Sequence, residues 1–441
     1  MFFRSQAVHF TGIGGIGMSG LAEILLRSGF SVSGSDLRLS PVTERLAEMG
    51  ARIVQGHAAE NLGNARVLIV TSAVDAANPE VAEARRRGLP VVSRGELLAE
   101  MMRPKLGVAI AGSHGKTSTT SMVATMLLEA GLDPTVVIGG VLPRMGSNAR
   151  AGGSELLVAE SDESDGSFLL LAPIYAVITN IDREHLDYYR NLDHIRDSFV
   201  EFANKVPFYG AVVVCVDDAN VRGILPRLRR RVITYGHSED AQYRITDEST
   251  IIGVGRLALQ VPGPHNILNA TAAVAIGIEL GLTPQQALAG VNAFTGVNRR
   301  FQIRGQAAGV TVIDDYGHHP TEIAATLKAA RAAGYRKIHV IFQPHRYTRT
   351  QALLDEFATC FTEADSIFIM DIYAASEKPI PGVTGEALAA RVPGALYTGS
   401  VEAAIEAATG TAAAGDVIIT QGAGSVTTAG EPLLTALRER G

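Results

Sequence analysis

The run GVAIAGSHGKTSTT, residues 107–120, places small residues, a lysine and a hydroxyl in an order suited to holding phosphate. The apolar residues Val108 to Ala111 suit a buried parallel strand, and the residues after them suit a tight turn and then a helix opening at about Thr117. A helix start offers unpaired N–H groups to an anion. Gly112 and Gly115, with Ser113 and His114 between them, let the backbone close around phosphate oxygens. Lys116 reaches the outer phosphates, and the hydroxyl of Thr117, followed by Ser118, can bind Mg2+. The full pattern G-x-x-x-x-G-K-[ST] requires glycine where this chain has Ile110, so only a shortened GxxGK[ST] core is present. An ordinary strand–turn–helix corner shares that core, and the surrounding residues must decide.

Two later stretches supply the company a phosphoryl-transfer loop needs. LLVAE ends at Glu160 and is followed by SDESDGSF; YAVITNIDREHLDYY carries Asn180, Asp182 and His185 just after an apolar strand. Glu160 suits either Mg2+ or a solvated helix cap, and His185 taken alone reads as a loop histidine. Together with Lys116 and Thr117 they put a cation, a hydroxyl, a carboxylate and an imidazole on three strand ends at one sheet edge. Further on, HNILNATAA sets Asn266 and Asn269 one helical turn apart, where their amides either read an adenine edge or cap the helix. Arg299 and Arg300, in NRRFQIRG, mark a boundary where a guanidinium can meet nucleotide phosphate or simply face water. DDYGHHPTEI and QPHRYTRT bring Tyr316, His318, His345, Arg346 and Arg349 to two more strand ends. Paired arginines suit a carboxylate or phosphate, and His318 can position or deprotonate a small nucleophile.

The elements that must position these groups are those of an α/β chain. At its start, a strand from Ala7 to Thr11 runs into GIGGIGMSG, with Gly12, Gly14 and Gly17 spaced as G-x-G-x-x-G, and a second strand ends at Asp36. That arrangement suits NAD, any other diphosphate-bearing nucleotide, or a glycine-rich turn packing helix on strand. TSAV, from Thr71 to Val74, stands at another strand end. Its 441 residues exceed what one core serves, so several domains are expected. With 46% hydrophobic and 19% charged residues the chain is globular rather than fibrous or disordered, and 46 glycines imply many tight turns. The net charge of -6 argues against a general nucleic-acid binder. No apolar run reaches the roughly 18 residues of a membrane span. The absence of a secretory signal and two isolated cysteines, Cys215 and Cys360, point to the cytoplasm.

The order of these motifs resembles the Mur ligase family over essentially the whole chain. GIGGIGMSG with GSD, GSHGKTSTT, AESDESDGSF, NIDREHLDYY, HNILNATAA, RRFQ, DDYGHHPTEI, FQPHRYTRT and QGAG stand in the family's order. The resemblance implies three domains: a Rossmann-like UDP-sugar domain over 1–104, a central P-loop ATPase with a mostly parallel sheet over 105–300, and a Rossmann-like domain over 301–441 closing over ATP and the amino acid. It explains the shortened loop, because the family is built on GxxGK[ST], and it reassigns the first glycine motif from NAD to the diphosphate of a UDP-sugar. Nearest within the family are members that use ATP to join L-alanine to the lactyl carboxylate of UDP-N-acetylmuramate through an acyl phosphate.

Carried over residue by residue, the resemblance implies that Gly12, Gly14, Gly15, Gly17, Asp36 and Ser72 meet the UDP-sugar. Gly112, Ser113, His114, Gly115, Lys116, Thr117, Ser118, Asn266, Asn269 and Arg300 would meet ATP. Thr117, Glu160 and His185 would serve Mg2+, and Tyr316, His318, Arg346 and Arg349 the L-alanine, with Lys116, His185, His318 and Arg346 in catalytic roles. Some Mur ligases use a carbamylated lysine beyond the position of His185; this chain has no lysine between Asp182 and Lys205, so none is expected. The expected partners are these two substrates, with no nucleic acid and no membrane insertion, in a monomer or weak homodimer. Rival readings are a murein peptide ligase acting on a recycled tripeptide, an NAD-dependent oxidoreductase with an accessory ATPase domain, and a nucleotide-driven switch.

Overall fold

A computed structural model describes residues 6–71, 74–185 and 188–440. Ser72, expected at the UDP-sugar, lies outside the described residues. Three sheets organise the rest. The first comprises β1 (Ala7–Thr11), β2 (Ser31–Asp36), β3 (Arg52–Gln55), β4 (Val67–Val70) and β5 (Val91–Ser93), in the order β3-β2-β1-β4-β5 with every pairing parallel. This is the doubly wound order whose switch point lies at β1 and β4, where the glycine motif leaves the sheet.

The second sheet holds β6 (Leu106–Ala111), β7 (Thr135–Leu142), β8 (Ser147–Arg150), β9 (Leu156–Glu160), β10 (Tyr175–Ile178), β11 (Ala211–Cys215), β12 (Val232–Gly236), β13 (Tyr243–Thr246), β14 (Thr250–Ile251) and β15 (Gly255–Arg256). Their order, β15-β14-β13-β12-β11-β10-β6-β9-β7-β8, makes β6 the immediate neighbour of both β9 and β10. The apolar runs of β6, β9, β10 and β11 are buried nearly throughout, as strands covered on both faces must be. The third sheet, β16 (Gln302–Ala307), β17 (Val310–Asp315), β18 (Ile338–Phe342), β19 (Ser366–Met370), β20 (Ala395–Gly399) and β21 (Val417–Gln421), has the order β16-β17-β21-β18-β19-β20 with only β16 antiparallel. The expected α/β fold with Rossmann-like sheets at both ends is present. Sequence reading passed over β3, β7, β8, β12 to β16 and β20. β14 and β15 are two residues long, β7 carries two glycines, and β3 and β20 are edge strands without an alternating apolar face.

The chain divides into two compact units, Met1–Ala258 with Leu268–Phe294, and Leu259–Ile267 with Thr295–Gly441. The first unit contains both the first and the second sheet. One apolar core runs from Val8, Phe10 and Leu21 through Ala109, Phe168 and Val214 without a break between them. Close backbone approach makes this possible. A Cβ on Gly20, in the helix Ile16–Arg27, would stand 2.7 Å from the Cβ of Ala149 on β8, and one on Gly95 would stand 2.7 Å from the Cβ of Ser167. Alongside, Glu23 takes an ion pair of 2.8 Å from Arg45. Among the described residues no helix is long and apolar enough to cross a membrane.

Against the strand ends of the first sheet, on the helix Pro79–Arg86, lies a fully buried carboxylate, Glu80. It accepts from Thr11 Oγ1 at 2.7 Å, Ser35 Oγ at 2.8 Å and Asn61 Nδ2 at 2.8 Å, and His9 Nε2 stands 3.5 Å away. Burial alone would raise its pKa; hydrogen bonds from His9, Thr11, Asn61 and Ser35 outweigh that and bring it from 4.5 down to about 2. Thr11 and Ser35 immediately precede Gly12 and Asp36, so Glu80 ties together the strand ends that carry the glycine motif. A carboxylate whose folded pKa lies below its unfolded one stabilises the fold above the unfolded value and loses that contribution as pH falls toward the folded one. Glu80→Gln is therefore expected to destabilise the protein by about 2 kcal/mol at pH 7. Denaturant titrations should show the gap from wild type narrowing as pH falls from 4.5 to about 2; a gap independent of pH would show that Glu80 is not ionised in the fold.

Candidate functional site

The phosphate loop is built as its glycines require. β6 ends at Ala111, and the helix Lys116–Glu129 begins one residue before Thr117. Gly112 has φ +135° and Gly115, at the helix cap, φ +83°, conformations that side-chain-bearing residues rarely adopt. Space is closed to them as well: a Cβ on Gly112 would overlap the Thr179 hydroxyl, and one on Gly115 would stand 2.6 Å from Asn269 Oδ1. The loop is clamped to the end of β10. Thr179 Oγ1 donates to His114 O at 2.6 Å, His114 N donates to Asn180 Oδ1 at 2.8 Å, and Asp182 N donates to Ser113 Oγ at 2.8 Å. His114 Nε2 lies 2.9 Å from Asp182 Oδ2.

Lys116 curls back over this loop, its Nζ donating to Gly112 O at 2.6 Å, Ser113 O at 3.1 Å and Glu163 Oε1 at 2.6 Å. Burial works against its ammonium, but the charges of Glu163, Glu184 and Glu160 outweigh burial, and its pKa is raised. Glu163 is buried, and its other oxygen, Oε2, has no hydrogen-bond partner among the described residues. His185, at φ +54°, brings Nε2 to 3.6 Å from Glu163 and 3.7 Å from Glu184. These three residues offer ligand atoms within 4.8 Å of one another. On β9, Glu160 accepts from Thr117 Oγ1 at 2.9 Å through one oxygen and from Gly139 N at 2.6 Å through the other. Lys116, Thr117, Glu160 and His185 thus stand on the adjoining strand ends of β6, β9 and β10. Sequence reading passed over Glu163 and Glu184 as partners of Lys116. Glu163 is one of several carboxylates in SDESD, and only the chain path shows which one faces the lysine.

In the first sheet, Gly12 has φ +78° and Gly14 N donates to Asp36 Oδ2 at 2.9 Å. Gly15 caps the helix Ile16–Arg27 and is exposed. At Gly14 and Gly17 the lack of a side chain makes room for protein. A Cβ on Gly14 would stand 2.9 Å from the Asp36 carboxylate, and one on Gly17 2.8 Å from Arg94 Cδ.

In the other unit, Tyr316 lies 5.0 Å below the Arg299 guanidinium and 5.2 Å below that of Arg300. Tyr316 meets the His318 ring at 5.3 Å, His318 meets His345 at 5.4 Å, and His345 stacks on Tyr373 at 5.6 Å. Arg349 Nη1 reaches 3.3 Å from His345 Nδ1. Arg346, at φ +69°, donates its backbone N–H to Tyr373 O at 2.9 Å, which fixes the turn that follows β18. Burial, followed by the charges of Arg349 and Arg346, pulls the pKa of His345 down to about 4, leaving a neutral imidazole beside two guanidiniums. His318 N donates to Glu322 Oε2 at 3.0 Å. Asn266, in this unit, and Asn269, in the first, lie three residues apart on the helix Pro264–Glu279; both are buried, and Asn266 Nδ2 donates to Pro262 O at 2.7 Å.

Family models agree with this arrangement of sheets. Those described as Mur ligase family catalytic domain, Mur ligase middle domain and Mur ligase glutamate ligase domain match residues 7–106, 110–277 and 299–424. Relatives from Solibacter usitatus and Acidobacterium capsulatum, both called UDP-N-acetylmuramate--L-alanine ligase, are 60% and 53% identical; each alignment covers 100% of this chain, and 97% and 99% of the relative. The chain belongs to the Mur ligase family. Among solved structures, the UDP-N-acetylmuramate-alanine ligase of Thermotoga maritima matches with a TM-score of 0.79 at 29% identity, over 99% of this chain and 100% of that one. A murein peptide ligase of Psychrobacter arcticus shares the fold, with a TM-score of 0.72 at 24% identity over 98% of this chain and 99% of that one.

Within this Mur ligase the shortened loop keeps the geometry a phosphate loop needs, because Ile110 lies in the buried part of β6 and takes no part in the turn. Gly112 then becomes the sensitive position. Gly112→Ala must displace the end of β10 or the loop itself, and a shift of about 1 Å there is expected to lower turnover on the order of a hundredfold. Steady-state kinetics of the folded variant checks this; turnover within about twofold of wild type would show that the loop tolerates the displacement.

Proposed function

We propose that this Mur ligase uses ATP to join L-alanine to the lactyl carboxylate of UDP-N-acetylmuramate, in the cytoplasm, as a step in making peptidoglycan precursors. The observation that carries the reading is the convergence of Lys116, Thr117, Glu160 and His185 on three neighbouring strand ends. It occurs in a chain whose full-length relatives bear the name of that reaction. The same relatives weigh against tripeptide as the acceptor, since the murein peptide ligase likeness is one of fold. We assign the UDP-sugar to residues 1–104, ATP to 105–300 and the amino acid to 301–441.

A carboxylate is a poor acyl donor, so it must first acquire a leaving group. A lactyl oxygen attacks the γ-phosphorus of ATP, the bond to the β-phosphate oxygen breaks, and ADP leaves. The amine of L-alanine then attacks the acyl carbon, phosphate departs, and the nitrogen gives up a proton. Lys116 supplies positive charge to the transferring phosphoryl group. Its ammonium already sits over the loop carbonyls, so it need exchange only its carboxylate partner for phosphate. Mg2+, when bound with ATP, would neutralise phosphate charge. Thr117, Glu160 and His185 would hold it, and the donor set fits: a hydroxyl paired to a carboxylate, with buried Glu163 bringing Oε1 to 3.6 Å from His185 while its Oε2 has no hydrogen-bond partner among the described residues.

Asn269, against Gly115, and Asn266 on the same helix suit the adenine, with Arg300 as a phosphate contact. Gly12, Gly14, Gly15, Gly17 and Asp36 suit the UDP diphosphate and its ribose. Around the L-alanine, Arg346 and Arg349 suit its carboxylate, with Tyr316 and His318 beside them. The neutral His345 adds no positive charge that would repel either guanidinium.

The test is a mass-spectrometric assay with UDP-N-acetylmuramate, ATP and Mg2+, offering L-alanine or the tripeptide. The alanyl product should appear with one ADP and one phosphate per amide, and Lys116→Ala should slow it by about a thousandfold or more. Faster turnover with tripeptide, or no covalent product, would overturn the reading. Arg346→Ala should raise the L-alanine KM on the order of tenfold or more by removing a charged hydrogen bond. An unchanged KM in initial-rate measurements would remove Arg346 from the carboxylate site.

A further inference from the structure

Arg94 stands at an unfavourable place for a cation. It is the first residue of the helix Arg94–Met102, whose N-terminus is capped by Ser93 and Glu96 and carries the positive end of the helix dipole. A positive side chain there opposes the dipole, so something else must hold it. Two contacts do. Its aliphatic stem fills the space beside Gly17, where a Cβ would stand 2.8 Å from Arg94 Cδ and 3.2 Å from Nη1. Its Nη2 makes an ion pair of 2.9 Å with Asp162 Oδ2.

These contacts belong to two different parts of the proposed reaction. Gly17 is in the first turn of the helix that follows the diphosphate loop. Asp162 lies two residues beyond Glu160 and immediately before Glu163, between the partner of Thr117 and the partner of Lys116. Asp162 is tightly set: Oδ1 accepts from Ser164 N at 3.0 Å, and its backbone carbonyl accepts from Ser167 Oγ at 3.2 Å. Ser167 is the residue against which Gly95, next to Arg94, packs without room for a Cβ.

We infer that Arg94 is a positioning residue that sets the acidic loop of the ATP site against the diphosphate loop of the sugar-nucleotide site, acting through Asp162. The inference rests on the proposed ligase reaction, in which a carboxylate on one nucleotide must be held in line with the γ-phosphorus of another. Error in the spacing of the two loops is error in the attack distance, which lowers the rate of the chemical step more than the binding of either nucleotide.

A double-mutant cycle tests this. Arg94→Ala, Asp162→Asn and the double variant are compared with wild type in alanyl-product formation. KM for UDP-N-acetylmuramate is measured in each, together with calorimetric binding of a non-hydrolysable ATP analogue and thermal stability. Each single variant is expected to lose about tenfold in kcat with KM and analogue binding changed less than about threefold, and the double variant to lose about the same tenfold rather than about a hundredfold. An additive double variant would overturn the inference. So would a raised sugar-nucleotide KM in Arg94→Ala alone, which would make Arg94 a direct diphosphate ligand. A lowered Tm with unchanged kcat would reduce the pair to a structural role and overturn it too. A wild-type protein that forms no alanyl product would overturn the ligase reading and this inference with it, whereas an active wild type isolates the role of Arg94.

Discussion

A buried ammonium surrounded by carboxylates is the interaction on which the rest of the site depends. Lys116 is only 15% exposed, and its charge is kept because Glu163 pairs with it while Glu160 and Glu184 add their fields. Removing a cation from water costs several kcal/mol unless partners are placed accurately. The partners come from different strands and loops, so the fold must hold β6, β9 and β10 side by side. The clamp of Ser113 and His114 on Thr179, Asn180 and Asp182 does this for the loop itself. The negative charge that stabilises Lys116 here is what a phosphoryl group would supply in its turn.

Two glycine-rich loops in one compact unit follow from a shared core rather than from a flexible connection. Small residues allow it: Gly20 lets a helix of the first sheet approach β8 of the second, and Gly95 lets another approach Ser167. Where apolar side chains interdigitate across both sheets, relative sliding would open cavities, and close packing resists that. The buried Glu80 has a comparable effect inside the first sheet. By binding Thr11, Ser35 and Asn61 at once it fixes the strand ends from which the glycine motif and Asp36 extend.

In the other unit an aromatic series runs from Arg299 and Arg300 over Tyr316 and His318 to His345 and Tyr373. Its imidazole at His345 is held neutral by burial and the adjacent arginines. Cations are thereby concentrated at the ends of β17 and β18, on either side of β21, the region of an open parallel sheet where ligands are bound.

The sequence by itself determined the family, the α/β class and the location of the phosphate loop, because these depend on local patterns: an apolar strand, a turn that only glycine can make, a lysine and a hydroxyl at a helix start. Short and edge strands such as β3, β14 and β20 were not legible, because β3 and β20 lie half-open at sheet edges and β14 is two residues long, so none carries a periodic apolar pattern of its own. Only the tertiary structure decided which carboxylate meets Lys116, since Glu160, Asp162, Glu163 and Asp165 lie a few positions apart in sequence, yet folding gives them Thr117, Arg94, Lys116 and the Ser167 N–H as partners. It also showed a second use for two of the glycines. G-x-G-x-x-G suggested backbone approaching a diphosphate, and in the folded chain Gly14 also makes room for Asp36 and Gly17 for Arg94. A missing Cβ records that something lies close, and only the packing of distant segments says what it is.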